Sequence, residues 1–354
     1  MRIFVINPGS TSTKIAVYDG EKPVWMTGTH HPISELSTFN HVFDQYEYRG
    51  NFIKNKLKEA AISLDFDAVI GRGGLLKPLD GGVYAVNEKM KYDLIHAEME
   101  HVCNLGALFA ADIADYCGCP AFTADPVVVD EMQPEARFTG IPGIARKSVF
   151  HALNSKAVSH RYAASIGRKY EDLRLIVAHL GGGISIGAHL YGRVIDVNNA
   201  LDGEGPFSPE RAGTLPAGQL VDLCFSGQYD IKQIKAMIRG KGGLTAYLGT
   251  NDMITISRKA EEGEEPYKGV LDAMLYTVAK QIGAMFVALS CQADAIILTG
   301  GIAYSDYCVN ALRQRIDSLA PVVLSPGEDE MGSLAYNAYG VLTGKLPLKE
   351  YKGE

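Results

Sequence analysis

The sequence predicts an α/β chain of two similar domains with mixed sheets and flanking helices, and three observations carry that expectation. A strand, small-residue loop, strand and turn occur twice, over residues 2–27 and 174–197. Short apolar runs alternate with helical patterns along the rest of the chain, as expected for layered α/β domains. The 354 residues supply two domains on the usual scale of roughly 150 residues each.

In the first repeat an apolar strand over 3–6 leads into Asn7-Pro8-Gly9-Ser10-Thr11-Ser12-Thr13, and Lys14 stands at the exit before a second strand over 15–18. Gly9 allows positive φ and close backbone approach. Hydroxyls, exposed N–H groups and the Lys14 charge suit phosphate oxygens. The same composition also makes an ordinary polar hairpin turn. In the second repeat the loop is Gly181-Gly182-Gly183, preceded by His179 and followed by a strand and the turn Tyr191-Gly192. Two such loops facing each other across an interdomain cleft would hold the two ends of a polyphosphate.

Between the repeats, a polar stretch with aromatic residues covers 33–48 and a helix is predicted over 51–63. A buried strand over 67–71 delivers Arg72-Gly73-Gly74 to its C-terminal end, where open α/β sheets bind ligands. A strand over 83–86 and helices over 88–99 and 105–116 follow. The strand over 120–124 ends at Asp125-Pro126. A loop over 134–142 precedes a helix over 147–169, whose start marks the domain boundary: 1–146, completed by 331–354, and 147–330.

After the second repeat, 198–218 is rich in glycine, proline and charge, and long loops of this kind are often functional. Helices run through 219–262. Over 267–290, Val270, Met274, Val278, Ile282, Met285 and Leu289 recur at helical spacing as a core stripe. A strand over 294–298 leads to Thr299-Gly300-Gly301, followed by a helix over 305–319, a strand over 321–324 and a helix over 331–343.

Composition narrows the function. The net charge of −7 argues against nucleic-acid binding, which favours a basic stripe. No uninterrupted apolar run approaches the ~18 residues that span a membrane, and no basic stretch with an apolar segment marks a secretory signal. The six dispersed cysteines (103, 117, 119, 224, 291, 308) read as reduced thiols of a cytoplasmic protein, without zinc-site spacing.

Three glycine-containing loops at strand ends fit a nucleoside triphosphate. No Gly-x-Gly-x-x-Gly opens a helix after a strand, and no Gly-x-x-x-x-Gly-Lys-[Ser/Thr] stretch is present. Arg72 and Arg211 suit two-pronged pairing with carboxylate or phosphate, and surface ion pairs are the commoner use. Asp125 could position a metal or open a turn. His151 and His160 lie on one predicted helix. Glu328 and Glu330 could ligate Mg²⁺ or cap the last helix.

Together these motifs resemble the acetate and butyrate kinase family, which belongs with actin, sugar kinases and heat-shock chaperones. Asn7-Pro-Gly-Ser-Thr-Ser-Thr-Lys14 is similar to the family's first phosphate loop, in its butyrate kinase form. His179-Leu-Gly-Gly-Gly183 resembles the second, and Thr299-Gly-Gly-Ile302 the adenosine-side loop. Arg72-Gly-Gly74 and Arg211-Ala-Gly213 resemble the arginine sites, Phe150-His151 the catalytic-histidine motif, and Asp125 the family's aspartate. His160 is the alternative histidine, and either Glu328 or Glu330 takes the metal-linked glutamate position.

The resemblance implies actin-like, ribonuclease-H-like domains closing on substrates. It implies reversible, Mg²⁺-dependent transfer between ATP and butyrate, giving butanoyl phosphate and ADP. Acetate, propionate or isobutyrate are alternative acceptors, and a sugar kinase or an ATP-dependent switch are lesser readings. Arg72, Asp125, His151 and Arg211 would serve catalysis. Asn7, Gly9, Ser10, Thr11, Ser12, Lys14, His179, Gly181, Gly182, Gly183, Gly300 and Gly301 would hold the nucleotide. Asn7, Asp125, Glu328 and Glu330 are the metal candidates. A homodimer or larger homo-oligomer is also implied.

Overall fold

A computed structural model describes residues 1–97 and 100–353. Among them the strands run in chain order as β1 (Arg2–Gly9), β2 (Ser12–Asp19), β3 (Lys22–His30), β4 (Ala68–Gly71), β5 (Val83–Ala85), β6 (Ala121–Ala124), β7 (Arg174–Leu180), β8 (Ile184–Leu190), β9 (Arg193–Val197), β10 (Ala295–Gly300), β11 (Val322–Pro326) and β12 (Leu348–Glu350). The chain divides into two compact units, Met1–Val129 with Asp329–Glu354, and Asp130–Glu328.

The first unit carries a seven-stranded sheet in the order β12-β5-β6-β4-β1-β2-β3. β1, β2 and β3 form an antiparallel meander, and β4 then β6 add in parallel on the other side of β1. The second unit repeats this in five strands, β11-β10-β7-β8-β9, with the same meander and the same parallel additions. Parallel neighbours need a crossover. Helix Asn104–Cys117 supplies it between β4 and β6, and helix Asp306–Ile316 between β10 and β11.

Fully buried apolar runs, Ile3 to Ile6 in β1 and Ile296 to Leu298 in β10, reflect strands covered on both faces. Helix Glu330–Leu342 packs on β1 and β4, and helix Ala152–Ser165 packs on β7 and β10. Helix Tyr267–Ala288 is long and apolar enough to cross a membrane by length and composition. Its Leu271, Met274, Leu275, Val278, Ile282 and Met285 lie in the core of the second unit.

Several elements differ from the sequence expectation. The loop over 7–13 is shorter, because β1 and β2 stay paired to Gly9 and Ser12 and leave only Ser10 and Thr11 as the turn. The first long helix is Tyr46–Glu59 rather than 51–63; Tyr46 stacks on Phe109 with ring centroids 4.7 Å apart, which draws the aromatic stretch into the helix. The helix expected over 147–169 is Ala152–Ser165, since His151 (φ −79°, ψ 61°) is not helical and Gly167 (φ +68°) terminates the other end. The helix over 88–99 is described for Glu88–Ile95; Met99 lies outside the described residues.

The unit division falls at 129/130 and 328/329, where the sequence reading puts 146/147 and 330/331. Side chains before 147 explain this. Glu131 accepts two hydrogen bonds from Lys156 Nζ at 3.0 Å and one from Val194 N at 2.8 Å. Arg146 pairs with Asp196 at 2.9 Å and Glu204 at 2.6 Å. Glu354, the end of the expected C-terminal segment, lies outside the described residues.

Candidate active site

In the first unit, the end of β1 places Asn7 beside the start of helix Glu330–Leu342. Asn7 Nδ2 donates to Glu330 Oε2 at 2.7 Å. Arg72, just past β4, grips the same carboxylate with both prongs: Nη1 to Oε2 at 3.0 Å and Nη2 to Oε1 at 2.8 Å. Its Nη1 also approaches Asn7 Oδ1 at 3.5 Å. Asp329, not Glu328 or Glu330, caps the helix, accepting from Gly332 N at 2.9 Å. That corrects the capping alternative for both glutamates.

Two glycines let Arg72 reach this position. A Cβ on Gly71 would fall 2.0 Å from Gly106 O, and one on Gly106 would fall 2.4 Å from Arg72 O. The strand end therefore lies directly on helix Asn104–Cys117, where Asn104 Oδ1 accepts from Leu75 N at 2.8 Å. Asp125, at the end of β6, is buried with positive φ (39°) and accepts from Gly82 N at 2.7 Å. The hairpin tip carries Gly9, Ser10, Thr11 and Ser12, and Lys14 is exposed with no ion pair among the described residues.

Among the described residues no three acidic, histidine or cysteine side chains form a metal cluster. Mg²⁺ is often held by only one or two carboxylates, the rest of its shell being water and phosphate oxygens. Asn7, Asp125 and Glu330, all in the first unit, offer hard oxygen donors of that kind. Glu328 belongs with a different set of side chains.

In the second unit the two motif histidines meet. His151 and His179 stack with ring centroids 3.8 Å apart and planes 11° from parallel. His151 Nδ1 lies 2.9 Å from Ser185 Oγ on β8. His179 is buried, with Nδ1 3.2 Å from Asn154 Oδ1 and Nε2 2.9 Å from Glu328 Oε1. Asn154 Oδ1 also accepts from Thr299 Oγ1 at 3.2 Å, which ties the histidine to the end of β10. His160 lies elsewhere, edge-on to Tyr170 at 4.9 Å, and burial lowers its pKa.

Arg211 crosses the second glycine loop. A Cβ on Gly183 would fall 1.9 Å from its Nη1, which donates to Ala200 O. Burial lowers the Arg211 pKa, the nearby Glu210 charge opposes that shift, and among the described residues the guanidinium forms no ion pair. Ser208 Oγ donates to Gly182 O at 2.7 Å, tying residues 181–183 to the Arg211 loop. A Cβ on Gly181 would meet His179 Nε2 at 3.1 Å. Gly300 (φ +86°) could not carry a side chain, since its Cβ would meet Leu180 O at 2.4 Å, whereas Gly301 faces open space.

A family model described as the acetokinase family matches residues 139–321. A Phocaeicola vulgatus protein named probable butyrate kinase is 72% identical over 354 residues, 100% of both chains. The chain belongs to the acetokinase family. Another relative, butyrate kinase 1 of Clostridium acetobutylicum, is 50% identical over 353 residues, 99% of each chain. The crystal structure of Porphyromonas gingivalis acetate kinase shares the acetokinase fold with a TM-score of 0.76 at 18% identity, covering 96% of this chain and 99% of that one. The two actin-like units are thus those of an acetokinase.

Sequence reasoning missed Asn104, Asn154, Ser185 and Arg49 of this acetokinase. Asn154 had a usable signal: it lies three residues after His151, a spacing that would share a face on the helix predicted over 147–169. Ser185 and Asn104 had none beyond their place near glycine motifs. Arg49 stands between the polar, aromatic stretch over 33–48 and the helix predicted over 51–63, outside both.

Proposed function

We infer that the chain catalyses reversible, ATP-dependent phosphorylation of butyrate to butanoyl phosphate, with ADP as the other product. The observation that carries this is the full-length likeness to proteins named butyrate kinase, at 72% and 50% identity. The geometry is consistent with a carboxyl acceptor. A carboxylate is already ionised at neutral pH and needs no strong general base. What such a transfer requires is alignment of the attacking and leaving oxygens and neutralisation of charge on the phosphoryl group.

Arg211, half-buried and without an ion pair among the described residues, is proposed to neutralise the transferring phosphoryl group. Arg72 is proposed to orient the acceptor carboxylate. His151 would donate a hydrogen bond to the phosphoryl oxygens, its ring held by Ser185 and by the stack on His179. The hairpin residues 9–12, Lys14 and residues 181–183 would hold the phosphates. Asn7, Asp125 and Glu330 would hold Mg²⁺, which when bound screens the charge of the nucleotide phosphates. A cytoplasmic location and a homo-oligomeric state belong to the same proposal.

The test is ADP formation from Mg-ATP with acetate, propionate, butyrate, isobutyrate and glycerol, with hydroxylamine trapping acyl phosphate as hydroxamate. Hydroxamate strongest with butyrate is expected. Strongest trapping with another acid would reassign the acceptor, and ADP formed only with glycerol would remove the carboxyl acceptor altogether.

Gly301 offers a narrower check. Gly301→Ala has room to fold, so unfolding should occur at the wild-type temperature. If the backbone there approaches the nucleoside, the KM for ATP should rise about tenfold while the KM for butyrate holds. Unchanged ATP kinetics would remove Gly301 from the nucleotide site.

A further inference from the structure

Arg49, on helix Tyr46–Glu59, is fully buried, and its guanidinium lies behind the first phosphate hairpin. Nη1 donates to Gly9 O at 3.0 Å, Ser12 O at 2.8 Å and Thr13 Oγ1 at 3.1 Å. Nη2 donates to Ser10 O at 2.9 Å, and Nε to Gln45 Oε1 at 2.9 Å. Every one of these acceptors is neutral. No carboxylate pairs with Arg49 among the described residues; the charged form is opposed by burial, which lowers its pKa to about 10 and still leaves it a cation at neutral pH.

The surroundings do not supply the missing negative charge. His31 Nε2 lies 2.8 Å from Thr13 Oγ1, and burial with the nearby Arg49 charge lowers the His31 pKa to about 4, so it is neutral. Glu35 is engaged by the Tyr48 hydroxyl at 2.7 Å, and that hydroxyl lies 3.3 Å from His31 Nδ1. An ionised group taken out of water is costly without hydrogen bonds and a countercharge. Arg49 has the first and lacks the second.

The hairpin geometry shows where a countercharge would bind. In a trans peptide the carbonyl and the following N–H point in opposite directions. The oxygens of Gly9 and Ser10 point at Arg49, so the N–H groups of Ser10 and Thr11 point away from it. The turn thus turns its donors outward with a positive charge behind them, an arrangement that favours anions.

We propose that Arg49 is a positioning residue for the nucleotide phosphates, holding the 9–13 hairpin by its oxygens while bound phosphate serves as counterion to its buried charge. This rests on the reading of the hairpin as a phosphate site given above. It concerns a residue without any place in the motifs that carry the family resemblance.

The test is calorimetric binding of ATP, ADP and adenosine to wild type, Arg49→Gln and Arg49→Lys. Arg49→Gln should weaken ATP about tenfold or more, ADP less, and adenosine hardly at all, because the lost attraction scales with ligand charge. Arg49→Lys should recover part of the ATP affinity, and the KM for butyrate should stay near wild type in both. Equal losses for ATP and adenosine, or ATP affinity unchanged in a folded Arg49→Gln protein, would overturn the proposal. Should neither variant fold, wild type decides it. Inorganic tripolyphosphate should slow amide hydrogen exchange at residues 9–13, less so in high salt, and no slowing there overturns the proposal. Wild type that yields no hydroxamate with butyrate, yet shows the charge-graded loss in Arg49→Gln, would instead refute the acceptor reading and leave the role of Arg49 standing.

Discussion

Arg211→Ala should lower hydroxamate formation from butyrate by about 10²–10³ in kcat, the usual loss when one preorganised donor to a transition-state charge is removed. The structure supports so large an effect because Arg211 is half-buried, packs against Gly183, and forms no ion pair among the described residues, Glu210 acting on it only as a nearby charge. Its charge is thereby left for a ligand. Removing it also strands Ala200 O, at about 1–3 kcal/mol for an unsatisfied buried acceptor. The melting temperature of the variant therefore has to be measured beside its turnover. Arg211→Lys should recover only part of the rate, since an ammonium restores charge without the planar fork. A folded Arg211→Ala protein with turnover within about threefold of wild type would show that Arg211 does not act on the phosphoryl group.

Glu330→Gln is expected to weaken Mg²⁺-dependent turnover by ~10–100-fold, the range seen when groups ordering a metal site are changed. Glu330 carries the hydrogen bonds of both Asn7 and Arg72. The amide keeps the shape and loses the charge, so Arg72 is left without its carboxylate and a donor to Mg²⁺ is weakened. Titrating Mg²⁺ at saturating ATP and butyrate separates the two effects. A rise in the concentration giving half-maximal rate points to the metal, and a fall in maximal rate at saturating Mg²⁺ points to Arg72. Glu328→Gln is the control. Glu328 lies against His179 in the second unit, so its Mg²⁺ dependence should match wild type. If Glu328→Gln shifts the Mg²⁺ titration and Glu330→Gln does not, the metal assignment moves to Glu328.

The sequence alone determined the features that local chemistry dictates. Apolar runs of four or five residues beside glycine loops announced β1, β2, β7, β8 and β10, because a strand buried on both faces must be apolar throughout. The repeated meander announced two similar units, since the same strand order follows from the same succession of short connections and crossovers. Arg72 and Asp125 were visible as polar residues ending buried strands, which is where a parallel sheet presents its ligands.

Tertiary structure decided the partners. Of three neighbouring acidic residues, Asp329 caps the helix, Glu330 meets Asn7 and Arg72, and Glu328 meets His179. Their spacing along the chain cannot sort them, because successive residues at a helix start leave in different directions. The same holds for His151 and His160, nine positions apart on one predicted helix, of which only His151 stacks on His179. Arg49 is the clearest case. A charged side chain is ordinarily solvated, and only the packing of helix Tyr46–Glu59 against the first hairpin turns that charge inward onto the oxygens of residues 9–13. Local pattern specifies which elements form; the register between elements hundreds of residues apart specifies which side chains meet.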